Sequence, residues 1–447
     1  MRSSPATDSV AEVHSDSAEH ETRAPAAVEN SRLLIAGRIA AVAVLGFSVY
    51  FAVRESIAGW YFEKNVPQDI ETAAKWDPGN PQFPDALANL MRFYSENPNP
   101  APIVRLCETA VRLSPNDAHY WADLGSAYDW AGRPNDALHA FERARDLFPN
   151  SPDINWSLAN FYVRVGRLPD SLPLLQKILI AGGIDQTQVF SLATRATNDP
   201  DAVVNEVLPT RPPFLENYFT FLVIANNLEQ AQTVWTRLLE SKQPFDVAHG
   251  VLYVNALIQR PDLDAASDAW SQLIARFPAT MNPRFAPGNL VTNGDFALPI
   301  LNGGFDWRVF AVEGATVSIA PANQNGGGAL QIEFDGSHNV DYGHVLQFIQ
   351  VRPKTRYQFS GEIRTRGVTT DSGPRFQLYD IHDMAHVFVS GENRIGTSDW
   401  WTEKLDLQTG PETRLIILRV ARPASSKFDN QIAGDVWIRH IGLVEEH

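Results

Sequence analysis

WADLGSAYDWAGRPNDALHAFERARDLFP, residues 121–149, is the most informative segment of this chain. Trp121, Leu124 and Tyr128 follow each other at helical spacing and therefore form one face of a first helix. The residues AGRPN read as a turn, and the apolar spacing after them predicts a second helix that packs back on the first. Pro149 ends that second helix. The segment thus predicts a helical hairpin.

The hairpin repeats along the chain with a period of 34 residues. Residues that recur at this interval include Tyr94, Tyr128 and Tyr162, Pro115 and Pro149, and Gly132 and Gly166. The period and the positions Trp121, Leu124, Gly125, Tyr128, Ala137, Phe141, Ala144 and Pro149 resemble the tetratricopeptide repeat. The resemblance implies an all-α solenoid over residues 66–283 with a concave groove that binds a protein partner. A rigid spacer is the alternative role for these repeats.

Composition narrows the classes of function. The 447 residues carry a formal net charge of −15, and no dense Lys/Arg stripe offsets the acids, so nucleic acid is not expected as a partner. A single cysteine, Cys107, excludes an internal disulfide framework. Because Cys107 lies among residues with apolar helical spacing, we predict a buried thiol and not a reactive nucleophile.

The N-terminal region predicts a membrane anchor. Residues 1–32 have almost no large apolar side chains and predict a disordered tail. Residues 33–53 are apolar apart from Arg38, and as a helix they would be about 31 Å long, close to the thickness of a bilayer core. A slight excess of arginine before this span favours a cytoplasmic N-terminus. We therefore expect a single-pass membrane protein whose structured domains lie outside the cytoplasm. By analogy with the domain combination described below, the expected setting is a bacterial inner membrane, with the C-terminal domains periplasmic or extracellular.

The pattern changes to short alternating apolar runs at NLVTNGDF, residues 289–296. Examples of these runs are ATVSIA, GALQIEF, RYQFSGEIRT, RFQLYD and RLIILRVAR, and turn residues usually separate them. Eight to ten such strands without a helical period predict an all-β jelly-roll sandwich over residues 288–447. The whole chain is therefore predicted to be multidomain, with one transmembrane helix, an all-α solenoid and an all-β sandwich.

The order NLVTNGDF, FDWRVF, GALQIEF, YQFSGEIRT, WWTEKLDL and GDVWIRHIGL resembles the carbohydrate-binding modules of the type 4/9 group. The resemblance implies a glycan-binding sandwich. In this group acidic residues often follow the NGxF motif and the final Trp-Ile, and they help to bind calcium. This chain has Ala297, Arg439 and His440 at those places, so no cofactor or metal is predicted and structural calcium is not favoured.

A sugar site needs aromatic faces for the C–H side of a pyranose and polar groups for its hydroxyls. The candidates are the aromatic residues Trp307, Tyr342, Tyr379, Trp400 and Trp401 and the polar residues Gln347, Asp341 and His344. For each tryptophan, the alternative interpretation is that its side chain packs in the core. Trp437 lies in an alternating apolar run and is predicted to belong to the core. Because neighbours on a strand point to opposite faces, one of Trp400 and Trp401 should be core and the other more exposed.

No catalytic constellation emerges from the sequence. HDMAH, residues 382–386, lacks the glutamate of the two-histidine zinc helix, and the runs on either side of it predict a hairpin turn. The favoured hypothesis is a non-enzymatic adaptor that contacts protein and glycan in the production or export of a surface polysaccharide. One alternative is a structural envelope assembly factor whose two domains bind only proteins. Another is a glycan-processing enzyme with a pair of facing carboxylates.

Overall fold

The structure is a computed structural model, and it divides into two compact units, residues 1–166 and 167–447. The residues that the structure describes are 24–94, 98–241, 243–281, 288–320 and 328–446, with side chains from residue 34 onward. The predicted tail therefore lies largely outside the described residues. Residues 24–32 are helical, so the first helix begins before the predicted span.

The first unit is built from antiparallel helical hairpins. Its helices are α1 (Ala24–Phe62), α2 (Pro67–Trp76), α3 (Gln82–Tyr94), α4 (Pro100–Leu113), α5 (Ala118–Trp130), α6 (Pro134–Leu147) and α7 (Pro152–Arg164). Proline stands in the first turn of α2, α4, α6 and α7, where its missing N–H has no partner to lose. The sequence pattern of helix, short turn and helix is therefore confirmed.

The packing of α5 against α6 explains the residue spacing by which this hairpin was predicted. A Cβ atom added to Gly125 on α5 would lie 2.8 Å from the ring of Phe141 on α6, so only glycine permits this approach. Gly132, in the turn between the two helices, has a φ of +72°, which is a left-handed conformation that favours glycine. Cys107 is 3% exposed, and burial raises the pKa of its thiol to about 12, as the prediction of a buried thiol requires.

Helix α1 is long and apolar. Its segment from Leu34 to Phe62 has the length and composition of a membrane-crossing helix, and the most apolar window of that segment is not buried by the rest of the chain. By themselves, length and composition are weak evidence for a membrane span. The last turns of α1 behave differently, because Ala58 is 1% exposed and packs with Ile70 of α2 and Phe83 of α3.

The second unit continues the helical pattern before it changes to strands. Its helices are α8 (Leu168–Ala181), α9 (Gln186–Thr197), α10 (Pro200–Ala202), α11 (Phe214–Ile224), α12 (Leu228–Glu240), α13 (Val247–Ile258), α14 (Asp264–Arg276) and α15 (Pro278–Met281). A π-helical turn, Val203–Val207, follows α10. It interrupts the region in which the sequence departs from the 34-residue register.

Two five-stranded antiparallel sheets follow. The strands are β1 (Arg308–Val309), β2 (Ala315–Ala320), β3 (Ala329–Asp335), β4 (Tyr342–Gln350), β5 (Arg356–Val368), β6 (Arg375–Asp380), β7 (Phe388–Ser390), β8 (Gly396–Gln408), β9 (Leu415–Arg422) and β10 (Ala433–Glu445). The first sheet has the order β1-β4-β9-β6-β7, and the second has the order β2-β3-β10-β5-β8. Their inner faces share one apolar core, so the prediction of an antiparallel sandwich is confirmed.

The segment Asn289–Phe296 is a strap that ties the sandwich together. The Asn289 side chain accepts a hydrogen bond from the Leu443 backbone N–H at 2.9 Å. The Gln347 amide donates to the Thr292 carbonyl and accepts from the Thr292 N–H, both at 2.8 Å. The motif that marked the start of the domain therefore has a structural role.

The last helical hairpin packs on the sandwich through the loop that leads into β1. Asn255 of α13 accepts hydrogen bonds from the Gly304 N–H and from the Arg308 guanidinium, each at 2.7 Å. Gly304 has a φ of +59°, and a Cβ atom there would lie 2.3 Å from the ring of Trp270. Asn255, Trp270 and the loop before β1 therefore form a direct contact between the last helical hairpin and the sandwich.

Candidate functional site

The outward face of the first sheet carries the candidate site. Val345, Leu418 and Leu378 point into the core, so their neighbours on β4, β9 and β6 point outward. Strand register places these outward side chains in two rows. A polar row contains Leu346, Arg419, Gln377 and Ser390, and an aromatic row contains Phe348, Ile417, Tyr379 and Phe388. The rows are two residues apart, or roughly 7 Å.

The half of this face formed by β6, β7 and β9 is called the β6–β7 patch, and it consists of Gln377, Tyr379, Phe388, Ser390 and Arg419. The Arg419 guanidinium donates to the Gln377 side-chain oxygen at 2.9 and 3.1 Å and lies 4.9 Å from the centre of the Tyr379 ring. Phe388 is 49% exposed, whereas Tyr379 is 9% exposed. An aromatic face, a guanidinium and a hydroxyl thus share one surface, and the largely buried amide of Gln377, 7% exposed, supports the guanidinium.

This combination suits a polyhydroxylated ligand. Aromatic rings accept the C–H face of a pyranose, while the guanidinium and the amide hydrogen-bond to hydroxyls or carboxylates. Because Arg419 covers part of the Tyr379 ring, a ligand that stacks on Tyr379 must move the Arg419 side chain. Phe388 and Ser390 can be reached without any such movement, since both are exposed.

Three of the predicted site residues lie in the core. Trp307 has no exposed surface and donates from its indole N–H to the Asn293 carbonyl at 3.2 Å. Tyr342 is 2% exposed and packs edge-on against Phe334, and burial raises the pKa of the Tyr342 hydroxyl. Gln347 is fully buried. None of the three presents a side chain to the surface, so they are not included in the candidate site.

The remaining predicted residues are spread over the sandwich. Tyr379 lies in the β6–β7 patch. Asp341 is exposed just before β4, and His344 lies in an irregular part of β4 with its ring 5.4 Å from that of Tyr342. Trp400 and Trp401 are on β8 in the second sheet. The structure therefore does not gather the eight predicted residues into one site.

The tryptophans of the second sheet pair with arginines. Trp400 is half-buried, and the Arg439 guanidinium lies 3.9 Å from the centre of its ring. Trp401 is 49% exposed at the sheet edge, with the Arg394 guanidinium at 4.6 Å. The expectation that one of them is core is wrong, because β8 is an edge strand whose two faces both reach solvent.

Trp437 also departs from its prediction. It is half-buried on the outward face of the second sheet, and the guanidinium groups of Arg364 and Arg366 each lie 5.2 Å from the ring. The apolar run around it alternates, and the core side belongs to Val436 and Ile438. The apolar character of tryptophan suggested that Trp437 lies in the core. The alternation of side chains along β10 places it on the outward face of the sheet instead.

The first unit holds a pair of acids on neighbouring hairpins. Asp85 of α3 accepts a hydrogen bond from the Asn89 amide at 3.2 Å. Burial, and then the nearby Asp123 carboxylate of α5, raise the pKa of Asp85 to about 7. Burial also raises the pKa of Asp123. One proton shared by this pair relieves the repulsion between the two carboxylates.

The HDMAH segment forms the hairpin between β6 and β7, as predicted. β6 and β7 pair antiparallel, and the Asp380 side chain at the end of β6 accepts from the His382 N–H at 2.8 Å. Within the described residues, no group of three or more His, Cys, Asp or Glu side chains could hold a metal ion.

Sequence reasoning missed four members of the β6–β7 patch: Gln377, Phe388, Ser390 and Arg419. A signal was present for Gln377, since residues 375, 377 and 379 alternate with the apolar residues of RFQLYD. Which of the two faces each strand buries depends on the pairing of distant strands, and the local pattern of a strand does not contain that information.

The chain is similar to known proteins over short segments. Superkiller protein 3 of Schizosaccharomyces pombe is 35% identical over 86 residues, which are 19% of this chain and 6% of that protein. Superkiller protein 3 of Saccharomyces cerevisiae is 32% identical over 71 residues, 16% of this chain and 5% of that protein. The chain therefore spans about one-twentieth of the length of these relatives.

Similar solved structures cover single parts of the chain. "CBM4 structure and function" has a TM-score of 0.26 at 16% identity over 35% of this chain and 99% of that chain. The MamA protein has a TM-score of 0.30 at 17% identity over 44% of this chain and 98% of that chain. YrrB, described as a TPR protein with an unusual peptide-binding site, has a TM-score of 0.25 at 15% identity over 48% of this chain and 94% of that chain. Such scores carry no inference about function.

One family profile matches part of the chain. Residues 131–195 match the family described as tetratricopeptide repeat. This range begins in the turn before α6 and ends in α9. The match supports the tetratricopeptide-repeat prediction for α6 to α9.

Proposed function

We propose that this protein is a membrane-anchored, non-enzymatic adaptor whose repeats bind a protein partner and whose sandwich binds glycan. Tetratricopeptide repeats are a protein-interaction fold, and the family match over residues 131–195 supports an adaptor role at that level. Glycan binding and membrane insertion are further steps that rest on the arguments below.

The observation that carries the glycan assignment is the β6–β7 patch. Exposed Phe388 offers a stacking face, and hydrogen-bonding groups are offered by Ser390, two residues along β7, and by Arg419, which lies on β9 beyond the intervening β6. Gln377 is 7% exposed and its side-chain oxygen accepts from the Arg419 guanidinium. The set has donors and acceptors but no pair of facing carboxylates, as expected of a surface that holds a sugar without cleaving it. We assign the patch to recognition and not to catalysis.

The length and composition of the apolar helix α1 support attachment to a membrane, and we propose a bacterial inner membrane as that membrane. With a cytoplasmic N-terminus, both structured units would lie on the outer side of that membrane. There they could hold a polysaccharide beside a protein of the export or production machinery. This setting is an analogy from the domain combination, and it is independent of the sugar site.

A glycan array tests the assignment. The full chain in lipid nanodiscs would be screened together with Phe388→Ala, whose side chain is exposed enough to be removed without loss of core packing. Trp400→Ala is the matched control, because it removes an aromatic side chain from the opposite sheet. We expect a defined glycan to bind the native protein and the control but not Phe388→Ala.

Other outcomes would redirect the assignment. Binding that survives Phe388→Ala but disappears in Trp401→Ala would move the site to the sandwich edge. A folded protein that binds no glycan would refute the sugar-binding proposal and favour an assembly factor whose two domains bind only proteins.

A further inference from the structure

The hairpin formed by α1 and α2 has its open end level with the point on α1 where the apolar residues stop. Helices α1 and α2 run antiparallel, and their connecting turn lies between Phe62 and Pro67. Arg54 of α1 donates from its guanidinium to the Trp76 carbonyl, the last residue of α2, at 2.6 Å. Arg54 is also the first charged residue after the apolar segment. The end of α2 is therefore tied to the boundary of the segment that would cross the bilayer.

Side chains at this level have the chemistry of a lipid headgroup layer. The Arg54 guanidinium lies 5.9 Å from the ring centre of Tyr50 and 5.4 Å from that of Phe51, both on the apolar side of the boundary. Trp76 is 41% exposed at this level, and Trp60, which is 58% exposed, lies about 9 Å further along α1. Tryptophan, tyrosine and arginine are the residues that concentrate where a membrane protein leaves the hydrocarbon core.

The helix between membrane and repeats has no break. Helix α1 continues from the apolar segment into Ala58, which is 1% exposed because it packs into the first repeat. One face of α1, from Val49 to Trp60, is open to solvent and crosses the level of Arg54. Lipid acyl chains suit the apolar part of this face, since Val49 and Val53 are exposed there.

We propose that the α1–α2 hairpin is a membrane-contacting collar. In this arrangement Trp76 and the turn from Asp77 to Pro81 lie in the lipid headgroup layer. The repeats are then mounted on the bilayer directly and not through a flexible tether. The inference rests on the proposed membrane anchoring, and it goes further by naming the lipid surface as a partner of the first repeat.

Spin labels on single cysteines would test the collar. Cys107→Ala removes the buried native thiol, and Gly79→Cys places a label in the α2–α3 turn, where a Cβ atom approaches nothing closer than 3.7 Å. Val66→Cys is the matched control, because it labels the opposite end of the same hairpin. Leu45→Cys labels the middle of the apolar segment. The full chain would be reconstituted in liposomes of phosphatidylethanolamine and phosphatidylglycerol.

Collision rates with oxygen and with a water-soluble nickel chelate report the depth of each label. We expect the label at residue 45 to be shielded from nickel, the label at residue 79 to be several-fold less accessible to nickel than the label at residue 66, and the label at residue 66 to be aqueous. Equal nickel accessibility at residues 79 and 66, with residue 45 shielded, overturns the collar and leaves the anchor intact. Nickel access at residue 45 overturns the anchor itself. Trp76→Cys provides a second label at the same level.

Discussion

The junction between the last helical hairpin and the sandwich makes a sharp prediction for Asn255→Ala. The Asn255 side-chain oxygen accepts two hydrogen bonds, from the Gly304 N–H and from the Arg308 guanidinium. Arg308 is a buried charge, and burial lowers the pKa of its guanidinium to about 10. Removing the acceptor leaves both donors without this partner, although Arg308 still donates to the Gly304 carbonyl at 2.9 Å.

The expected cost follows from the two lost bonds. An unsatisfied buried donor costs about 1–3 kcal/mol. Because Arg308 keeps one hydrogen bond, we place the cost of Asn255→Ala near the middle of that range, at about 2 kcal/mol. Each 1.4 kcal/mol changes an equilibrium constant about tenfold. If the junction opens locally, amide hydrogen exchange in the segment 301–308 should therefore accelerate by roughly 30-fold.

Hydrogen exchange followed by mass spectrometry measures this segment directly. Asn217→Ala is the matched control, because the Asn217 amide lies on α11 and donates one bond, to Gln186 at 3.0 Å. Exchange in 301–308 should be unchanged in that control. An Asn255→Ala protein in which 301–308 exchanges at the native rate would refute the reasoning, since the junction would then not depend on this side chain.

Three other predictions concern the repeats and the patch. The pKa of Asp85 is raised in the folded state, so the stability associated with its proton is present below about pH 4 and is lost as the pH rises to about 7. Asp85→Asn should therefore raise the melting temperature at pH 8 more than at pH 5, with a gain on the order of 1 kcal/mol at pH 8, and an equal effect at both pH values would contradict the shared proton. Gly125→Ala should lower the free energy of unfolding in urea by about 1–3 kcal/mol because its Cβ meets the Phe141 ring, whereas Gly79→Ala, whose Cβ approaches nothing closer than 3.7 Å, should not. Arg419→Ala should weaken binding of any glycan found on the array while leaving the melting temperature within a few degrees of the native value, and unchanged binding would remove Arg419 from the site.

The helices and strands could be predicted from the sequence better than the candidate site could. Strand runs such as ATVSIA and RFQLYD coincide with β2 and β6, because alternation and turn residues are local properties of the sequence. The 34-residue period likewise located the hairpins. Trp307 and Trp437 could not be placed by such means, because their exposure depends on which strands pair and on which face the second sheet covers.

The function was harder to predict from the sequence than the helices and strands were. The aromatic residue type that suggested a sugar site also fills the core, as Trp307 and Tyr342 do. Phe388 was not a candidate because a phenylalanine in a short apolar run looks like core, and only the edge position of β7 exposes it. The segment NLVTNGDF, which marked the domain, holds the sandwich together through Asn289 and Thr292.

Isothermal titration of the full chain in nanodiscs with the glycan selected on the array would decide whether the β6–β7 patch binds sugar. Loss of one stacking face is worth about 1–2 kcal/mol, so the dissociation constant of Phe388→Ala should rise roughly tenfold, while Trp400→Ala should match the native protein. Equal affinities for the native protein and Phe388→Ala would contradict the account.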